Sequence, residues 1–119
     1  QSQSFAMQTS VGWAEWLTVT GIRVSTTPLG MALEIDYRPS ARLGEALPEF
    51  VVEDDERVIN RHGELSRTGD AQTGYTVCMQ TDLPSSLPHA LTLGVRRLDE
   101  SIRFDFDTQT AAMTKGAER

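Results

Sequence analysis

MALEIDY, residues 31–37, places Met31, Leu33, Ile35 and Tyr37 on one side of an extended chain, and Ala32, Glu34 and Asp36, followed by Arg38, on the other. Successive side chains of a strand point to opposite faces, so this stretch reads as a half-buried β-strand with one dry face and one wet face. The same alternation recurs on either side of it. Upstream, WLTVTGIRVS (16–25) carries Leu17 and Val19, then Ile22 and Val24, with the register slipping by one at Gly21. Such a slip predicts a β-bulge, for which glycine is suited. Downstream, Tyr75, Val77 and Met79, then Leu91, Leu93 and Val95, then Ile102, Phe104 and Phe106 repeat the pattern.

Between these runs lie Thr27-Pro28-Leu29-Gly30, Arg38-Pro39-Ser40, Thr68-Gly69-Asp70 and DLPSSLPH (82–89), all turn or loop compositions. A helical stripe is missing; the best candidate for a helical turn, Ala41 to Ala46, is short. Two further strands, Phe50 to Glu53 and Arg57 to Arg61, flank an acidic stretch and bring the count to about seven. The expected fold is therefore all-β, an immunoglobulin-like antiparallel β-sandwich of about seven strands, with a partly open β-barrel as the alternative. Two packed sheets would bury Leu17, Val19, Ile35, Val52, Val77, Leu93 and Phe104. Residues 1–12 are expected to be a flexible N-terminal segment, with QSQSFAM a remnant of cloning before Met7. Residues 13–107 form the single domain, and 108–119 (TQTAAMTKGAER) a C-terminal tail.

The 119 residues carry a net charge of −6, which disfavours a grip on phosphate backbones and so argues against nucleic acid as a partner. No apolar run approaches the roughly 20 residues of a membrane helix, and no signal peptide is visible in the sequence. Lys115 is the single lysine and Asn60 the single asparagine, a bias that fits a GC-rich, bacterial genome. Cys78 stands alone, which excludes an intrachain disulfide and a multi-cysteine zinc site. Set in the alternating TGYTVCMQT (73–81), it reads as a structural cysteine.

The stretch Glu53-Asp54-Asp55-Glu56 could be a metal cluster or the wet tip of a hairpin. It lacks the alternating oxygen ligands, the glycine and the distal glutamate of a calcium loop, and neighbouring strand side chains diverge, so the hairpin tip is the better reading. Asp105 and Asp107 share one face of the last strand opposite Ile102, Phe104 and Phe106, and read as a solvated face rather than a paired acid and base. His62 and His89 belong to no catalytic spacing, and Gly63, Gly69 and Gly74 make no phosphate loop. No catalytic residue, metal ligand or cofactor is expected. Arg96 and Arg97 read as one outward and one rim residue. In VGWAEWL (11–17), Trp13 and Trp16 stand three apart, facing opposite ways if extended, and are the candidates for partner contact.

The succession LTVTGIRVSTTPLGMALEIDY (17–37), FVVEDDERVINRHG (50–63), GYTVCMQ (74–80) and LPHALTLGVRRL (87–98) resembles the immunoglobulin-like extracytoplasmic modules of bacterial membrane-anchored regulators related to anti-sigma factors. The resemblance implies a non-enzymatic sensing or protein-contact module outside the membrane, tethered through sequence beyond these residues, and carries over no catalytic residue. The leading expectation is a protein-interaction module that contacts another protein or a second copy of itself. The alternatives are a carbohydrate-binding or carbohydrate-cleaving sandwich using a tryptophan with Glu53, Asp54, Asp105 or Asp107, and a structural subunit of a phage or surface assembly.

Overall fold

A computed structural model describes residues 3–28, 30–54, 57–60, 63–81 and 87–115. Nine strands follow one another without a helix among the described residues: β1 (Ser4–Trp13), β2 (Leu17–Thr27), β3 (Gly30–Pro39), β4 (Phe50–Glu53), β5 (Glu64–Asp70), β6 (Gly74–Thr81), β7 (Ala90–Val95), β8 (Glu100–Asp105) and β9 (Thr110–Lys115). They form two antiparallel sheets, β1-β2-β3-β6-β5 and β4-β7-β8-β9, which do not close into a barrel. Within them, β2-β3-β6-β5 facing β4-β7-β8 is the ABED and CFG strand order of a constant-type immunoglobulin domain. The alternation dictates which faces meet. All seven residues expected in the core are buried, and Met31, Leu33, Ile35 and Tyr37 of β3 are each 1% exposed or less.

Three expectations need correction. The N-terminal segment is not outside the domain: residues 4–13 form β1, which pairs with β2 and packs Phe5, Met7 and Val11 against the core. Its every-other-residue burial is real but shallow, because β1 sits at a sheet edge beside β8 and β9. The presumed tail likewise supplies β9, whose Ala111 and Met113 cover the open side of β8. Phe5 and Phe106 close this seam, with ring centroids 4.5 Å apart.

The third concerns the stretch after the acids. In place of the expected strand from Arg57 to Arg61, of which 57–60 are described, the chain makes one isolated bridge, Glu53 to Val58; β4 pairs with β7, and the next strand, β5, pairs with β6. The sequence of β5, ELSRTGD, has one apolar side chain and no alternation, because its outward edge meets solvent. What segment 57–60 does instead is cover the free edge of β4. The Asn60 amide accepts from Val52 N (3.0 Å) and donates to Phe50 O (3.0 Å), while Ile59 N donates to Val52 O (2.8 Å). One buried carboxamide thus provides the hydrogen bonds that a neighbouring strand would give.

The predicted bulge is present. Between Val19 and Gly21, β2 carries one residue more than β3, and between Gln8 and Val11, β1 carries one more than β2, so the two irregularities lie side by side and bend the sheet. A Cβ on Gly21 would stand 2.9 Å from an Asp36 carboxylate oxygen, which explains the glycine. At the β5–β6 hairpin, Gly69 adopts φ 111, and a Cβ there would lie 2.1 Å from the Gly74 carbonyl oxygen. Asp70 closes the turn by accepting from Gln72 N (2.9 Å) and Thr73 N (2.8 Å), bonds that hold its carboxyl below the ordinary carboxylate range.

Candidate functional site: the Trp16 end of the sandwich

Strand directions bring four connections to one end: the turn 14–16 after β1, the loop 40–49 between β3 and β4, the hairpin turn 71–73 between β5 and β6, and the turn 96–99 between β7 and β8. Ser40 ties the first two together. Its N–H donates to Trp16 O (2.8 Å), its hydroxyl donates to Glu15 O (2.6 Å), and its Oγ accepts from Leu43 N (3.2 Å). The expected helical turn at 41–46 is a pair of hydrogen-bonded turns, Gly44 N to Ser40 O and Ala46 N to Leu43 O, and does not continue as a helix. This geometry lays the Arg42 guanidinium over the Trp16 ring, 4.6 Å from its centroid, where Glu15 pairs with it at 3.2 Å.

The two tryptophans differ. Trp13, one of the expected contact residues, is 6% exposed, and its indole N–H donates to Glu100 O (2.9 Å), fastening β1 to β8 across the sandwich. It ends a strand with its ring inward, and so is a core residue rather than a contact. Trp16 follows in the tight turn closed by its own N–H on Trp13 O (2.8 Å) and remains half-exposed. It shares with Leu43, Leu47, Pro48, Val95 and Leu98 a groove of 580 Å³, and with Leu98 it forms the ridge between this groove and a second cleft of 390 Å³. Leu47 is 62% exposed and, unlike the similarly exposed Leu65, lines a groove together with Trp16 and Leu43. Sequence periodicity could not find Leu43 or Leu47, because loop 40–49 has no period; the one signal was leucine beside proline in a loop.

Three charged residues line the same groove. Arg96 Nε donates to Glu49, and its N–H donates to Glu49 O (2.9 Å). Arg97 is exposed and has no acidic partner among the described residues. It occupies the third position of the turn closed by Leu98 N on Val95 O (3.0 Å), with φ 79, a left-handed conformation that glycine or asparagine adopts at less cost. A side chain of this kind held there costs about 1 kcal/mol or more.

The other candidates fall elsewhere. β4 and β8 both start at the Trp16 end, so Glu53, Asp54, Asp105 and Asp107 lie towards the opposite one; at ~3.4 Å per residue Asp105 ends six-residue β8 about 17 Å along, and Glu53 ends four-residue β4 about 10 Å along. Asp54 accepts from Arg57 N (2.9 Å) and holds the wet turn; Asp55, Glu56 and His62 lie outside the described residues. Asp105 and Asp107 do not share a strand face, because β8 ends at Asp105. The Asp105 carboxylate accepts from Thr108 N (3.0 Å), which lowers its pKa, and Asp107 pairs with the exposed His89 at 2.7 Å. Trp16 and these acids are therefore not assembled into one sugar site. No three metal-binding side chains gather among the described residues.

The outer face of the larger sheet carries a hollow of 850 Å³ floored by small residues, among them Ala6, Thr20, Gly21 and Thr76. Of its charged lining residues, Arg23 and Asp36 pair while Arg38 stands apart from them: Arg23 donates to Asp36 through two nitrogens (2.7 and 2.9 Å) and to Glu34 (3.1 Å), and Thr76 donates to Asp36 (2.7 Å). Arg23 and Thr76 hold the Asp36 carboxyl below its ordinary pKa. Cys78 belongs to this network, its Sγ donating to Glu34 at 3.4 Å, which fits a structural role. On the inner face, burial pushes the Tyr37 hydroxyl up, and Arg67, reaching Tyr37, Glu64 and Pro48 O (2.9 Å), ties β5 to β3 and to loop 40–49.

Comparison with family models, with curated proteins and with solved structures returned no match.

Proposed function

We propose that this chain is a non-catalytic interaction module that contacts another protein through the Trp16 end of its sandwich. The observation that carries this reading is Leu47, an exposed leucine beside a half-exposed tryptophan, in a groove whose walls are fixed by Ser40, Arg42 and Glu49. Loops held on a rigid sheet frame are where binding residues concentrate. A groove with an aromatic anchor and a rim of arginines has the composition of a protein-contact surface. The resemblance to extracytoplasmic modules of membrane-anchored regulators adds a bacterial setting outside the membrane to the proposal. The Arg42 guanidinium covers one face of Trp16, which favours a protein contact over the stacking of a sugar ring.

The test is site-specific photo-crosslinking in the native host, with a benzophenone side chain at position 47 or, as control, at position 25 on the outer sheet face. Adducts that form from position 47 and vanish with Trp16→Ala support the proposal. Equal yields from both positions, or adducts from position 25 alone, refute it.

A further inference from the structure

The Trp16 groove carries a positive charge that no acid among the described residues matches, inside a protein of net charge −6. Of its three charged lining residues, Glu49 and Arg96 neutralise each other, whereas Arg97 has no acid within ion-pair distance among the described residues. Asp99 and Glu100 line the second cleft, beyond the ridge of Trp16 and Leu98, and not this groove. The chain as a whole carries −6, so an acidic partner is repelled by most of the surface and attracted at this lip.

The backbone points the same way. Arg97 occupies a left-handed turn position at φ 79, where glycine would relieve the strain and also remove the charge. The turn therefore presents a guanidinium at the rim of an apolar trough instead of relaxing. Resting on the interaction reading given above, we infer that the groove takes an extended peptide segment of a partner protein in which an apolar residue is followed closely by an aspartate or glutamate. The apolar side chain fills the trough between Leu47 and Leu98, and the carboxylate accepts a bidentate pair of hydrogen bonds from Arg97, the geometry that a planar guanidinium matches best.

The experiment uses a randomised dodecapeptide library displayed on phage and selected on the purified full chain, followed by affinity measurements with the selected peptides as synthetic molecules. The expected result is enrichment of an acidic residue next to an apolar one, with binding abolished by Leu47→Asp. Arg97→Gly, which suits the turn and keeps the fold, weakens binding about tenfold, the scale of one charge-assisted hydrogen bond. Replacing the peptide's carboxylate by its amide costs the wild type the same factor and costs Arg97→Gly nothing more. Peptides that depend on Leu47 but show no acidic preference and no response to Arg97→Gly overturn the inference and leave the interaction reading intact. A selection that yields no peptide dependent on Leu47 or Trp16 overturns both.

Discussion

Two single side chains control more of this molecule than their composition suggests. Asn60 is buried, and its amide satisfies Val52 N–H and Phe50 C=O while its nitrogen also reaches the Met79 sulfur at 3.5 Å. Asn60→Ala leaves a backbone donor and an acceptor unsatisfied and is expected to lower unfolding free energy by about 3 kcal/mol, read from the midpoint shift of a urea titration at unchanged slope. Asp36 contributes to the acid limb. Its carboxyl titrates lower in the folded chain than in the unfolded one, chiefly because of the Arg23 hydrogen bonds, so the native state binds fewer protons. That contribution is present above the unfolded value of about 3.9 and fades as pH falls through the lower folded value. Asp36→Asn should therefore flatten the loss of stability below about pH 4 in a series of thermal melts, while a profile unchanged from wild type would remove Asp36 as a cause.

Among the elements, most of those legible in the sequence bury one face, while β4 was legible as a short apolar run buried on both. β3, β6, β7 and β8 alternate cleanly because each lies between two neighbours, with its inner face against the facing sheet, and the bulge at Gly21 announced itself as a break in that alternation. β5 went unread because its backbone pairs only with β6 while its side chains mostly face water, so pairing left no hydrophobic trace. β1 and β9 were hidden for a related reason: Met7, Val11, Ala111 and Met113 are small or half-covered, a weak signal inside a polar sequence. The same shallowness sets their stability. In native-state hydrogen exchange, amides of β1 and β9 should exchange through openings of lower free energy than those of β3, β6 and β7, whose inner faces are packed in the core. Equal protection across all nine strands would mean that the two outer strands unfold only with the core.

At the scale of the whole molecule, the two-sheet frame decides which residues can act together. Trp16, Leu43, Leu47 and Arg97 are separated by up to 81 positions in the sequence, and only the strand order brings them to one end. That is why the sequence could single out Trp16 as an aromatic near the surface but could not supply its surroundings, nor show that Trp13, three residues earlier, turns inward. Of the acidic stretch, the bond from Arg57 N to Asp54 needs only local chemistry, whereas the expected strand after it and the shared strand face of Asp105 and Asp107 are absent among the described residues. The frame also has four sheet-edge strands, of which β4 is sealed by one carboxamide. An open strand edge is a template for another chain. Asn60→Ala should consequently open β4 to flank-to-flank pairing, with light scattering that grows with time and concentration and dye binding typical of cross-β fibres. In this sense the single asparagine of the chain is what closes the β4 edge to a second molecule.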